Sequence, residues 1–540
     1  MWKQQISHRE MLAVFAVFVP LAFLISVYLV VEAPNHMADT ANFFDYVINT
    51  AKSGFPNAPL GLSILDALHT WGEDFRSVCS NPLVPSVLPP WNVLTFHAYL
   101  IDYPLAGLTF FMPVEVAIPV AHGLAFLSLL LITYFILRGF RVSIVGSICF
   151  VSLVAAHPIW SMGLPANYYP DRFFLPFALI YMWQLHIMIT GSLSWTRRQR
   201  LVLVAMGIMA AIATERAAIT LGVVTLICLI LYWPQIGTLR RRLEIAGYGI
   251  TPLLAFAIYR KFQVNLYMEV LPLTPSSLWK AALVSVQSAH TWKFVTVNIG
   301  LFGIFALANW RLALVAGAAM GPNLLISIGG AEKTAFYSHY HDIYFPFLVY
   351  ATAYGYVRVL GWLKSWQSHG AVYAAVVSAT AILIFIDAYT PAIRFDPSRF
   401  DDRIVPKLWT FYWHRHFLEP SPQLKLLRDV EKEVPEGVTV TTVEGFMPIL
   451  RPNRTLHYYP IDIDSADYAV IVIDKDRDGK SYFSGAVSYQ NQSEELNKCL
   501  TERLREAGYN VDNPKIIGHA AILRRNPAVR SQQPAPSSGR

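Results

Sequence analysis

Charged residues are scarce in this chain: Asp, Glu, Lys and Arg make up 15% of its 540 residues, against roughly 25% in soluble globular proteins. An ordinary soluble protein is thereby excluded. The net charge of +7 does not point to nucleic acid, because the basic residues fall in short gaps between apolar runs. There they orient spans and meet anionic lipid. Cysteine is nearly absent too. Of the four, Cys149 and Cys228 lie inside apolar runs, and no two have CxxC or metal-ligand spacing, so nothing suggests a thiolate metal centre. Cys79 and Cys499 can pair only if both face an oxidising compartment. The C-terminal third lacks a Gly-rich phosphate loop and a nucleophile motif, and no internal repeat is visible. The first apolar run ends at Val31, and Glu32-Ala33-Pro34-Asn35 offers no small-x-small cleavage site. That run is expected to stay as an anchor.

What the chain has in abundance is apolar stretches of bilayer length. Taking about 20 residues per span, about eleven helices are expected, over 11–31, 115–137, 142–160, 172–193, 201–214, 216–233, 244–260, 294–310, 312–330, 343–362 and 370–389. Arg138/Arg141, Arg197/Arg198/Arg200, Arg240/Arg241/Arg242, Arg311 and Lys364 occupy alternate gaps. Short basic loops stay cytoplasmic, which puts the N-terminus inside and the C-terminus outside. Arg260 and Lys261 fall on the outer side and form a candidate phosphate site. Three outer segments exceed simple turns: 32–114, 261–293 with an amphipathic run at Ser276–Ala289 suited to the interface, and 390–540. In the last, helix Gln423–Val434, strand Val438–Val443, short helix Phe446–Leu450, strands Leu456–Tyr459 and Tyr468–Asp474, helix Glu494–Ala507 and strand Ile516–Leu523 alternate, as in a small α/β domain. The expected fold is therefore an all-α polytopic membrane bundle over 1–395, an extracytoplasmic α/β domain over 396–526 and a disordered Pro/Ser/Gln-rich tail over 527–540. The bacterial inner membrane is the expected location.

An ionisable residue at membrane depth is costly and is therefore a functional candidate. Asp39 follows the first span, with His36, Phe43 and Tyr46 on the same face if the stretch is helical. It suits a general base or a metal ligand, or is merely an acid at a helix start. His97 and Asp102 flank an apolar segment before the second span. Tyr169, Asp171 and Arg172 form an outer turn, where the two charges can neutralise each other or line a cavity. Glu215 beside Arg216 sits at a hairpin of two short spans, and ion pairing is its simplest role. The densest cluster is Tyr337-Ser338-His339-Tyr340-His341-Asp342. Its His339, His341 and Asp342 suit a metal or an anionic head group, and Tyr residues also serve as interface anchors. Lys333 is placed to neutralise a lipid phosphate nearby. Asp39 is expected within reach of the His339/Tyr340/His341 cluster.

Four stretches carry a family resemblance: Asp39 with Phe43 and Tyr46; Ala213-Thr214-Glu215-Arg216-Ala217; Ser338-His339-Tyr340 leading into Tyr344-Phe345-Pro346-Phe347; and Val434-Pro435-Glu436-Gly437-Val438-Thr439-Val440 with Pro448-Ile449-Leu450-Arg451 and Ala466-Asp467-Tyr468-Ala469-Val470. The layout resembles the GT-C superfamily of integral-membrane glycosyltransferases. Within it, the chain is most similar to a bacterial and archaeal polytopic family still described as a domain of unknown function. It departs from that pattern at Arg216, where an acid is usual, and around His97. The resemblance implies transfer of a sugar from a polyprenyl-phosphate donor to an acceptor of unknown class, lipid, glycan or protein. Asp39 would be the general base, with inversion at the anomeric carbon. Some such enzymes use a divalent metal, Mg or Mn, with Asp39, His339 and His341 as possible ligands here. The alternatives are a transporter or lipid flippase without bond chemistry and a cell-envelope assembly protein. Expected partners are membrane lipid, the donor and the acceptor, and no nucleic acid.

Overall fold

The computed structural model describes residues 7–33, 38–56, 99–160, 168–191, 195–261, 279–325 less 281, 282, 284, 285 and 288, then 339–363, 366–389, 422–460, 463–475, 481–484 and 494–527. His97, Lys333, the run Ser276–Ala289 over most of its length, Cys79 and the tail from 528 onward lie outside them. Two units emerge: Met1–Val30 with Val93–Thr390 and Pro406–Arg415, and Val31–Asn92 with Pro391–Val405 and His416–Arg540. Of the stretch 32–114, expected with the membrane bundle, the part up to Asn92 belongs to the second unit.

In chain order the helices are α1 (His8–Glu32), α2 (Ala38–Ser53), α3 (Asp102–Leu108), α4 (Val114–Gly139), α5 (Ile144–Ala155), α6 (Phe174–Thr190), α7 (Arg197–Ala211), α8 (Glu215–Leu231), α9 (Leu239–Arg260), α10 (Ala289–Val295), α11 (Trp310–Leu325), α12 (Phe345–Trp362), α13 (Trp366–Tyr389), α14 (Pro422–Glu433), α15 (Met447–Leu450) and α16 (Glu494–Glu506). A helix thus occupies each of the eleven positions expected. Five helical segments are long and apolar enough to cross a membrane, namely His8–Glu32, Val114–Gly139, Pro170–Thr190, Thr291–Ala308 and His369–Ile386, and Ile144–Ala155 is a shorter apolar one. The chain is a helical membrane-type protein. The count falls short of eleven for physical reasons. α7 and α8 have 15 and 17 residues, about 23 and 26 Å at 1.5 Å per residue, under the ~30 Å of a hydrocarbon core. The first turns of α9 carry Arg240, Arg241, Arg242 and Glu244.

Helix starts in the first unit follow from short polar side chains. Ser143, Thr196, Thr214 and Thr238 each accept a hydrogen bond from the backbone N–H three residues on, which satisfies an orphan donor of the first turn. α8 and α9 then approach closely. A Cβ on Gly222 would lie 2.7 Å from the Gly249 carbonyl oxygen, so small residues permit the backbone contact. Alternate turns gather at opposite ends. At the basic end, Arg138 pairs with Glu10 at 2.5 Å, Ser143 Oγ is 2.9 Å from the Tyr373 hydroxyl, and Arg200 pairs with Glu244 at 2.7 Å. At the other end the Tyr168 hydroxyl donates to the Leu29 carbonyl at 2.7 Å, and the Ile101 N–H donates to the Ile212 carbonyl at 3.0 Å.

The second unit is an α/β domain. Its strands are β1 (Thr439–Thr442), β2 (Thr455–Tyr458), β3 (Tyr468–Lys475), β4 (Ser481–Ser484), β5 (Lys515–Ile517) and β6 (Ala520–Arg524). The sheet runs β2-β1-β3-β6-β5, and β4 pairs with the far half of β3. β1 is parallel to β2 and β3, and the remaining pairs are antiparallel. Ala469, Val470 and Ile471 of the central strand are fully buried, as expected of a strand covered on both faces. Leu427, Val430, Leu500 and Leu504 from α14 and α16 join this core, as does Ala41 of α2. Arg451, just after α15, pairs with Asp45 of α2 at 2.6 Å and stacks over the Phe44 ring. One expected strand, Ile516–Leu523, is in fact the hairpin β5–β6. Gly518 has φ +58° at the first loop position, which suits a type II′ turn. Cys499 is disulfide-bonded, while Cys149 and Cys228 are free.

Candidate functional site

Several of the polar residues singled out in the sequence converge at the end of the first unit opposite the basic loops. Three separate stretches supply them. The first is a 3-10 turn, Pro170–Phe173, that leads into α6, with Pro170 setting the opening φ. The second is the Thr214-capped start of α8. The third is the 3-10 turn His339–His341 ahead of α12.

Asp171 and Arg172 are adjacent, yet each is engaged by a different element. Arg172 is fully buried, and its Nε lies 3.4 Å from Asp342 Oδ2, an ion-pair distance without hydrogen-bond alignment. Its guanidinium also stands 5.7 Å from the centre of the Phe126 ring. Arg216 reaches back to Asp171 at 3.9 Å and lies over the Tyr340 ring at 4.6 Å. About a third of the Arg216 side chain is exposed (35%), against 0% for Arg172. The arrangement is two crossed acid–base pairs, with one cation reachable from outside. Burial pushes the Asp342 carboxyl up to about 7, against the opposing pull of Arg172, and nearby Asp171 adds to the rise.

A buried relay runs inward from this cluster. The Tyr344 hydroxyl donates to Asn298 Oδ1 at 3.1 Å and lies 2.9 Å from His341 Nδ1. Because that hydroxyl spends its proton on Asn298, it accepts from His341, which fixes the His341 proton on Nδ1. Asn298 lies in a π-helical stretch, Thr296–Phe302, a geometry often found at functional positions. His122 anchors the Tyr169 turn from α4, with Nε2 2.8 Å from the Tyr169 carbonyl oxygen.

Of the residues predicted, Tyr169, Asp171, Arg172, Tyr340, His341 and Asp342 are brought together here, with Glu215 in the first turn of α8 beside Arg216. Asp102, at the start of α3, is fully buried, and neither carboxylate oxygen has a hydrogen-bond partner among the described residues. Burial holds its carboxyl well above the usual range. Lys261 is exposed past the end of α9. Asp39 lies in the first turn of α2, in the second unit. The side chains of Asp39, Arg260 and His339 fall outside the described residues, as do His97 and Lys333. Among the described residues no three His, Cys, Asp or Glu side chains are placed to hold a metal. His341 and Asp342 are turned to Tyr344 and Arg172 instead.

No family model matches the chain, and no curated protein matches it either. His122 and Asn298 are not among the predicted site residues, and Tyr344 is named only within a resemblance stretch. A polar residue inside an apolar run was the available signal for His122 and Asn298, but Tyr344 reads as an ordinary aromatic at a span end.

Proposed function

We propose that this chain is a polytopic membrane glycosyltransferase of the GT-C type, moving a sugar from a polyprenyl-phosphate carrier to an extracytoplasmic acceptor. In this reading all eleven helices pack as membrane spans, and the α/β domain lies outside. The observation that carries it is the pair of crossed ion pairs with a partly exposed Arg216 over Tyr340. Preorganised cations are what a leaving phosphate needs as charge develops on it. Arg216, the cation reachable from outside, stabilises that phosphate; Asp171 holds its guanidinium, and the buried Arg172–Asp342 pair holds the adjoining turns in place. Asp39 is the general base for the acceptor hydroxyl, a role that rests on the family resemblance. The disulfide at Cys499 supports an oxidising compartment for the α/β domain.

The test is transfer of a labelled sugar from polyprenyl phosphate by the purified protein in nanodiscs. Asp39→Asn should abolish transfer with donor binding nearly intact, because a base acts in the transition state. Arg216→Ala should weaken donor binding by about tenfold, the share of one charge-assisted contact. Full activity in Asp39→Asn would remove the mechanism. A second reading, a flippase without bond chemistry, is favoured by one observation: the Thr296–Phe302 π stretch is followed by a 3-10 stretch, Gly303–Ala308, and broken helices of this kind mark transporter sites. Movement of the carrier lipid across a liposome bilayer, with no sugar transferred, would decide for it.

A further inference from the structure

The basic end of the first unit holds an arrangement that the proposed chemistry does not use. The starts of α7 and α9 lie side by side there, joined by the Arg200–Glu244 pair and by Trp195. Over residues 191–200 and 232–244 the sequence places six arginines (Arg197, Arg198, Arg200, Arg240, Arg241 and Arg242) and one carboxylate, Glu244. Glu244 is already satisfied, accepting from Arg200 Nε and from the Tyr248 hydroxyl, both at 2.7 Å. Trp195 ties the two turns together. Its indole N–H donates to the Met188 carbonyl at 2.6 Å, and the guanidiniums of Arg200 and Arg241 stand 5.9 and 5.5 Å from its ring. Arg242 is also committed inward, donating to the Ile236 and Trp233 carbonyls and stacking at 4.2 Å on the Trp233 ring.

Arg197, Arg198 and Arg240 are exposed. Helix stability does not explain them, since cations in a first turn oppose the helix dipole. Leu201, Leu239 and Leu243 adjoin them along α7 and α9, each more than 60% exposed. The surface is therefore cationic at its tip and apolar immediately beside it, complementary to an anionic head joined to acyl chains.

We propose that the starts of α7 and α9 form a binding site for the phosphodiester head group of an anionic phospholipid, with Arg198, Arg240 and Arg241 as the contacts and Leu201, Leu239 and Leu243 along the acyl chains. Basic pockets between spans take such head groups. The adjoining leucines select a membrane lipid over a soluble phosphate. This site does not depend on the glycosyltransferase reading.

The experiment uses the full chain, delipidated in detergent and titrated with phosphatidylglycerol or phosphatidylcholine under native mass spectrometry. Wild type should bind phosphatidylglycerol at least tenfold more tightly. Each arginine near the surface contributes about fivefold, so Arg198→Gln/Arg240→Gln/Arg241→Gln should erase the preference and leave phosphatidylcholine binding unchanged. The matching triple lysine variant should keep most of it. An Arg9→Gln/Arg141→Gln variant, with charge removed elsewhere on the chain, should behave as wild type. The proposal is overturned if the glutamine variant keeps the preference, if Arg9→Gln/Arg141→Gln loses as much, or if glycerophosphate competes as well as the intact lipid.

Discussion

Asp342 joins burial to charge more sharply than the other described acids at the site. Its carboxyl is raised to about 7, chiefly because burial penalises the anion, while an unfolded chain returns it to about 4. Between those values the folded state binds more protons than the unfolded one, so stability falls as pH rises toward and through 7, on the order of 1.4 kcal/mol per pH unit at the steepest. The thermal midpoint of the purified protein should therefore drop between about pH 5 and pH 8, and Asp342→Asn should flatten that slope. An unchanged slope in the variant would assign it to other groups. At this scale the sequence was informative where polar residues crowd together. The turn 339–342 and the pair Asp171–Arg172 were visible as clusters, and they meet. Their pairing was not visible. Neighbours in sequence invite mutual neutralisation, and each guanidinium is in addition met by an acid from a remote turn, Arg172 by Asp342 and Arg216 by Asp171, a choice made by tertiary packing.

Helices and strands were easier to read than their limits and allegiances. Apolar length located the spans of the first unit, and runs of strand-forming residues located β1, β2 and β3 and, as a single strand, β5 with β6. Two errors have physical causes. Ser481–Ser484 pairs with β3 although its serines dilute any strand signal, and Gly518 converts one apolar run into a hairpin. The helix α2 was the larger surprise. Lying after the first span, it reads as part of an outer loop of the bundle, yet its Ala41 is in the core of the α/β domain and its Asp45 is held by Arg451 Nε at 2.7 Å. Arg451→Ala should loosen it. Hydrogen exchange of the α2 amides in the full chain is expected to speed up by at least tenfold while β3 stays protected. The exchanged pair Asp45→Arg/Arg451→Asp should restore much of the protection. Protection unmoved by Arg451→Ala would mean the apolar contacts of α2 suffice to hold it.

At the scale of the whole molecule, a helical membrane character was legible from composition alone, because hydrophobic length is a property of sequence and needs no tertiary information. The division into two units was not, because nothing local announces that residues some four hundred positions apart share a core. Topology remains open to direct measurement. Reporters fused after residue 365 and after residue 400 flank α13, and they should report opposite compartments, the first cytoplasmic. Agreement between the two reporters would break the threading.

The split origin of the α/β domain has a consequence for biosynthesis. Asp45 and Arg451 are 406 residues apart. At 5–20 residues per second, synthesis separates the two by roughly 20–80 s. Throughout that interval α2 has been made but the segment 444–451 that it packs against has not, and Ala41, part of the finished domain's core, awaits partners that do not yet exist. The intervening helices must be inserted first. A ribosome that stops before β1 leaves behind a chain with its membrane helices made and the amphipathic α2 stranded without its domain, which is the kind of exposed surface that quality-control proteases recognise. The core that takes in Ala41 is thus complete only once the last hundred residues have been made.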